Sequence, residues 1–285
     1  MTEIYNKFRH DAENKSIDYS HRQKIGYNIS RYDEAVVRGK QQYANLELAR
    51  QRAAGLKYKA IIELEKNLAD FEANFERNGG KVIWAQDAAD ALREIDAIIE
   101  KHNATRVVKS KTMVSEEIGL NQHLEAIGIE SIETDLGEFI VQQAGEPPYH
   151  IVTPAMHKSK EDVAKLFQEK FGMPANSSPE QITAFVRKLL REKFFFADIG
   201  ITGANFIVVD TGSVCLTENE GNGLLSMTFP RVHIVVAGIE KVIPSFKNLD
   251  LFWPLLATHG TGQNLTAYNS IISGPRQEGE IDGPQ

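Results

Sequence analysis

Thr217-Glu-Asn-Glu-Gly-Asn-Gly223 gathers two carboxylates and two carboxamides between glycines. A carboxylate framed by Asn and Gly in a strand-end loop is placed to act as nucleophile or base, with free amides nearby to hold an oxyanion. The same residues also suit an ordinary exposed acidic turn. Glu218 and Glu220 are the candidate catalytic groups, and Asn219 and Asn222 the candidate ligand contacts beside them. Upstream, Lys109-Ser-Lys-Thr112 offers two amines and two hydroxyls. Between a strand and a helix such a stretch takes a phosphate or carboxylate, or it is a solvated loop whose Ser110 and Thr112 satisfy backbone. Glu116 and Glu117 fall in the next helix's first turn, where the dipole alone favours acids; Glu116 is also a candidate functional acid.

Weaker candidates surround these. His157 follows Pro154-Ala-Met and is expected at a strand's C-terminal end, with no second His, Cys or carboxylate at zinc-binding spacing around it. His233, inside an apolar run, is expected as a packed core residue. Gly200-Ile-Thr-Gly203 lets backbone approach a neighbour, with Thr202 offering a hydroxyl, but it does not complete a dinucleotide fingerprint. Arg231 has two open roles, pairing with a ligand carboxylate or with Glu218 or Glu220.

The elements that must position these groups follow from periodicity. Ile61, Leu64, Leu68, Phe71 and Phe75 mark an amphipathic helix closed by Gly79-Gly80. Strands are expected at 82–84, 106–108, 129–134 and 150–153. Helices should intervene, capped by Asp87 and Ser115, the second stopped by Gly128. Ser159 and the capping box Ser178-Pro-Glu-Gln181 start two more helices, the first ended by Gly172-Met-Pro174. Asp198 to Asn205 is expected as a loop. Phe206–Val209 and Ser213–Thr217 then form a hairpin about Asp210-Thr-Gly212. Val232–Ala237 is a further strand, and Val242-Ile243 extends the sheet. This alternation implies right-handed crossovers and a mainly parallel sheet with ligands beyond its C-terminal strand ends. Residues 1–56 are expected as a thin-faced helical extension and 57–257 as the α/β domain. Residues 258–285, without periodicity, are expected as a tail or linker.

Composition narrows the function. The 285 residues are 42% hydrophobic and 25% charged, as in an ordinary globular protein. A formal charge of −7 argues against general affinity for nucleic acid or anionic membrane. No apolar run reaches the ~20 residues of a membrane span, and no signal peptide stands at the N-terminus, so a cytoplasmic location is expected. The single cysteine, Cys215, excludes an internal disulfide or a cluster ligated by this chain alone, and its strand position suits a buried, inert thiol.

Several strings together resemble a known family. Lys109-Ser-Lys-Thr-Met-Val-Ser-Glu-Glu-Ile-Gly-Leu-Asn121 is similar to the core motif of the LUD domain of lactate-utilisation proteins. So are Glu133-Thr-Asp-Leu-Gly-Glu138, Pro147-Pro148, His150-Ile-Val-Thr-Pro-Ala-Met-His157, Gly200-Ile-Thr-Gly-Ala-Asn205, Thr217-Glu-Asn-Glu-Gly-Asn222 and Pro230-Arg-Val-His233. The resemblance is closest to the lactate utilisation protein B family, the iron–sulfur component of a three-part bacterial system that oxidises L-lactate to pyruvate. It implies a three-layer α/β/α open sheet similar to the ribose-5-phosphate isomerase and CoA-transferase group. It also implies A-type and C-type partner components. CoA-transferase relatives use a glutamate beside Asn and Gly, which Glu218-Asn219 loosely resembles. The family continues past Gly-Pro-Arg and Asp-Gly-Pro stretches, here Gly274-Pro-Arg276 and Asp282-Gly-Pro284, into a ferredoxin-like segment. The [4Fe-4S] clusters are expected in that segment and not in this chain, whose ending reads as a linker or a cut.

Two functions therefore stand as expectations. One is a binding and assembly module within a lactate-oxidising electron-transfer complex, docking a small carboxylate, a phosphate or a partner loop. The other is an acyl-transfer or isomerase-like enzyme using Glu218 or Glu220. A nicotinamide-dependent dehydrogenase is disfavoured by the missing fingerprint.

Overall fold

Short strands with near-continuous apolar runs, separated by helices with one apolar stripe, dictate a sheet covered on both faces. A computed structural model of the chain describes residues 2–149 and 151–285. It contains the expected open parallel sheet between helical layers, formed by β1 (Arg106–Lys109), β2 (Glu130–Glu133), β3 (Ile199–Thr202) and β6 (Val232–Val235). The order is β2-β1-β3-β6, all parallel, with Lys109 in register with Glu133 and Ile201.

Each face of this sheet has its own core. Val107, Ile199 and Ile201 pack with Ile95 and Ile99 of α5 (Ala88–His102) and Leu120 and Leu124 of α7 (Leu120–Ala126). Val108 and Ile132, one residue out of phase, pack on the other side. They meet Phe139 of α8 (Leu136–Ala144), Phe167 of α9 (Lys160–Phe171) and Val186 and Leu190 of α10 (Pro179–Phe195). The period of two along each strand thus sends neighbouring residues to opposite layers. Asp87 caps α5, and Ser159 and Ser178 complete capping boxes at α9 and α10, as their spacing predicted.

A second sheet departs from expectation. The hairpin of β4 (Phe206–Val208) and β5 (Ser213–Glu218) turns at Gly212, whose φ is +56°. It joins β7 (Val242–Ile243) and β8 (Tyr268–Ile272) in the order β7-β4-β5-β8. One face packs on Phe71 of α4 (Leu64–Arg77), the other on Leu249 and Phe252 of α12 (Leu249–Thr261). The stretch after Thr258 therefore supplies an antiparallel partner for β5. Its pattern was hidden because no residue of β8 is fully buried.

Three further expectations are corrected. Residues 82–84 form no strand and lie mostly exposed. His150 is outside the described residues, and 151–153 are irregular rather than β. The helix expected from Ser115 is two short ones, α6 (Met113–Glu117) and α7, broken where Gly119 adopts φ +68°. Thr112 takes the cap position, leaving Ser115 buried within α6.

The stretch expected as a loop at Asp198 is largely the central strand β3. Gly200 disguised it: a Cβ there would lie 1.8 Å from the carbonyl oxygen of Ser226, in α11 (Asn222–Thr228). Glycine is what lets this helix lie against the strand.

The N-terminal residues form α1 (Thr2–Ser16), α2 (Tyr19–Lys40) and α3 (Leu46–Ile62). α2 crosses α12 where Gly39 meets Gly262, and the Tyr32 hydroxyl donates to the His259 carbonyl at 2.6 Å. Among the described residues, no helix is long and apolar enough to cross a membrane.

Gly200→Ala should destabilise the chain by about 3 kcal/mol in urea unfolding, because the new methyl overlaps rigid backbone. Gly26→Ala, in open space on α2, should instead stabilise it by about 0.5–1 kcal/mol.

Candidate functional site

The parallel register brings the last residues of β1 and β2 side by side, and both are charged. Lys109 is 0% and Glu133 1% exposed. Burying an ammonium costs several kcal/mol unless close partners replace its water. Here they do: Lys109 Nζ lies 2.7 Å from Glu133 Oε1, 2.9 Å from Ser115 Oγ and 3.1 Å from Glu116 Oε1. Ser115 passes its own hydrogen to the Thr112 carbonyl at 2.9 Å. Asn121 Nδ2 donates to Glu133 Oε1 at 2.6 Å, and Asn121 Oδ1 accepts from Ser131 Oγ at 2.9 Å. Lys109, Ser115, Asn121, Ser131 and Glu133 thus form one continuous network, with Glu116 at its edge.

A third acid joins it from the far side of the strand end. Glu138, in the first turn of α8, is buried, and one oxygen from each of Glu116, Glu133 and Glu138 falls within 4.8 Å of the others. Lys109 supplies the positive charge on which these acids converge. Burial presses its pKa down, but Glu133 and Glu116 outweigh that and hold it above the ordinary lysine range. Burial raises Glu133 against the pull of Lys109 and Asn121. Glu138 is pushed up to about 8, first by burial and then by the charge of Glu133. Glu133 Oε2 and Ser110 Oγ are buried without a hydrogen-bond partner among the described residues.

Above this network lies a more open rim. Lys111 Nζ, with its side chain 26% exposed, pairs with Asp135 Oδ2 at 3.1 Å. Asp135 is the N-cap of α8, its Oδ1 accepting from the amides of Gly137 (2.9 Å) and Glu138 (3.2 Å). Thr134 Oγ1 donates to the Lys109 carbonyl at 2.9 Å and accepts from Asn222 Nδ2 at 3.1 Å, tying β2 to α11. Gly203 admits Thr112, whose hydroxyl would stand 2.6 Å from a Cβ at that position. Glu218 is half-buried and accepts from the Gly223 and Leu224 amides, each at 2.7 Å. Burial raises its pKa, while these two amides and the Lys111 charge oppose the rise. With both oxygens engaged, Glu218 closes the start of α11.

The strand-end region therefore brings together Lys109, Ser110, Lys111, Thr112, Glu116, Gly203, Glu218 and Asn222. Other candidates lie elsewhere. Thr202 ends β3, but its hydroxyl is bonded to His233 Nε2 at 2.8 Å; burial lowers that imidazole to about 4, as a packed histidine requires. Gly200 lies within β3, facing α11 rather than a ligand. Asn219 is turned to Gln263 and the Ala267 amide, and Glu220 accepts from the neighbouring Asn219 amide at 3.3 Å. Arg231 precedes β6 and is exposed at the opposite, N-terminal edge of the sheet, because a parallel strand enters where its neighbours enter. His157 sits in a turn, not at a strand end, and meets Glu146 Oε2 at 2.7 Å beside the rings of Tyr149 and His21.

Sequence reasoning passed over Glu133, Asp135 and Glu138 as site residues. The signal was present: an acid closing a strand, then Asp-Leu-Gly-Glu with capping spacing. Cys215, buried in β5 and pushed up to about 12 by that burial, is a single thiol, whereas an iron–sulfur cluster takes several cysteine thiolates.

A parallel sheet covered on both faces, with a buried lysine–carboxylate network at its strand ends, defines an α/β/α protein with a polar rim on that edge. The chain belongs to the LUD domain family, whose model matches residues 68–285. It is 43% identical over 236 residues to the uncharacterized electron transport protein YkgF of Escherichia coli K12, covering 83% of this chain and 50% of that protein. It is 42% identical over 246 residues to lactate utilization protein B of Bacillus subtilis 168, covering 86% of this chain and 51% of the relative. The corresponding protein of Bacillus cytotoxicus is 43% identical over 244 residues, with coverage of 86% and 51%. The chain spans about half the length of the curated relatives it matches. No solved structure matches it.

Lys109→Met should cost about 3–5 kcal/mol in chemical unfolding at neutral pH, because it strands buried carboxylates. Glu138 gives a separate pH signature. The folded chain keeps its proton up to about 8, whereas its unfolded value lies near 4.5. Stability should therefore fall as pH rises between those values, by at most about 1.4 kcal/mol per pH unit from this group. Glu138→Gln should flatten that slope in unfolding curves taken from pH 5 to 9.

Proposed function

We propose that this LUD domain serves lactate utilisation as the ligand- or partner-binding portion of an electron-transport subunit taking part in oxidation of L-lactate to pyruvate. The names of the relatives from Bacillus and Escherichia coli support the setting. The observation that carries the binding reading is Lys111, a partly exposed ammonium at the strand-end rim, anchored by Asp135. A cation fixed at one end by a capped carboxylate keeps its remaining N–H groups for an incoming anion. Ser110 and Thr112 flank it in the chain, and Asn222 is tied to the same strand end through Thr134. A small carboxylate such as lactate or pyruvate, or a carboxylate presented by a partner component, matches that chemistry.

In this reading the chain contributes recognition and not electron transfer. Any iron–sulfur cluster of such a subunit draws its thiolates from residues other than these, since several are needed and Cys215 alone is present. Components of A and C type would be its working partners, with the rim as the contact for one of them or for the shared substrate.

Calorimetric titration of the 285-residue chain with L-lactate and with pyruvate tests this directly. Binding of either should weaken at least tenfold in Lys111→Met, about 1.4 kcal/mol. Lys24→Met, which removes a cation paired with Asp162 on α9, should leave it unchanged. Absence of binding to both acids, together with failure to retain the A and C components, would remove the basis of the proposal.

A further inference from the structure

The acids beneath the rim, Glu133 and Glu138 buried and Glu116 part-buried, carry more negative charge than their counterion can balance. Glu116, Glu133 and Glu138 offer oxygens within 4.8 Å of one another, and Lys109 is the ammonium bonded into the group. Lys111 lies on the rim and is committed to Asp135. Full ionisation would place three carboxylates about one buried cation, with Glu133 Oε2 left without a hydrogen-bond partner. Like charges this close in a dry site do not all ionise; one keeps a proton.

The geometry also links these acids to the proposed ligand position. Asp135 holds Lys111 through one oxygen and the Glu138 amide through the other. Lys111 and the Glu138 backbone amide therefore share Asp135 at the head of α8. An anion arriving at the remaining N–H groups of Lys111 adds negative charge beside Asp135 and above the carboxyl cluster.

We propose that Glu133 and Glu138 form a one-proton carboxyl pair under the rim, and that binding of a small carboxylate at Lys111 is coupled to uptake of a proton by this pair. The coupling rests on the anion-binding reading above; the pair itself does not. The charged groups acting on Glu138 are Glu133 from β2, Lys109 from β1, Glu116 from α6 and Asp135 at the head of its own helix. The acids among them favour the protonated form and Lys109 opposes it. With Glu138 at about 8, the proton is present at neutral pH and is lost under mildly alkaline conditions. Binding then balances as one anion plus a fraction of a proton from solvent, with no bond in the ligand broken. Ligand affinity should fall as pH rises through about 8, by at most tenfold per unit.

Two measurements on the 285-residue chain decide this. Infrared difference spectra between pH 6.5 and pH 9.5 should contain a protonated-carboxyl C=O band from a water-shielded acid. The band should disappear in Glu138→Gln, whose amide keeps the neutral shape, and should shift in Glu133→Gln. No such band, or an unchanged one in Glu138→Gln, overturns the carboxyl pair whatever the ligand does. Titration with pyruvate at pH 8 in two buffers of different ionisation enthalpy should then report uptake of up to about half a proton per ligand. In Glu138→Gln this uptake should vanish and the affinity become independent of pH from 7 to 9. Binding without proton exchange in the native chain overturns the coupling. A carboxyl band without binding of either pyruvate or L-lactate overturns the coupling and the anion-binding reading together, and leaves the pair standing.

Discussion

The ion pair between Lys109 and Glu133 is the contact on which the strand-end architecture turns. Two buried charges 2.7 Å apart at the ends of adjacent parallel strands are tolerable only while each has the other. The requirement propagates outward. Glu133 needs Asn121, which needs Ser131; Lys109 needs Ser115 and Glu116, which fix where α6 begins. Burial of a charge pair is weak evidence of stability by itself, because apolar residues of equal volume would pack as well or better.

Packing and electrostatics divide the labour around that pair. Val107 and Val108 anchor β1 to opposite helical layers, so the strand cannot slide without moving both cores. Gly200 and Gly203 remove side chains where α11 and Thr112 must approach β3. The result is a strand end held rigidly enough for Lys111, Asp135 and Glu218 to be placed by helix starts and not by long loops. Glu218 illustrates the difference between composition and role. It lies in the chain's most concentrated polar stretch, yet its oxygens close the beginning of α11, and its neighbours Asn219 and Glu220 point elsewhere.

The second sheet gives the fold its remaining constraint. Strand β5 is paired on both sides, by β4 and by β8, so the segment leading to Glu218 is held by residues more than fifty positions later in the chain. On its far side α12 is clasped by α2 through a glycine-to-glycine crossing. By contrast, the apolar residues Ile4, Tyr5 and Phe8 of α1 are exposed.

Local chemistry by itself determined much of this protein. The capping residues of α5, α9 and α10, the turn at Gly212, the amphipathic α4 from Leu64 onward and the strands β1 and β2 were legible because each depends on neighbours within a few positions, although Ile61, expected on the same helix, is exposed at the end of α3. So was the polar strand-end stretch from Lys109 to Thr112, and the family resemblance carried by strings of the same length. What only the tertiary structure decided depends on distant partners. Gly200 looked like a loop residue until Ser226 explained it, and β8 had no periodicity because half its surface is open. Arg231 and His157 were grouped with the rim by chemical type, but strand direction and a turn sent them away. Glu133 and Glu138 looked like unremarkable acids, because a shifted proton affinity arises from burial and from charges on β1, β2, α6 and α8 that converge only when the chain is folded.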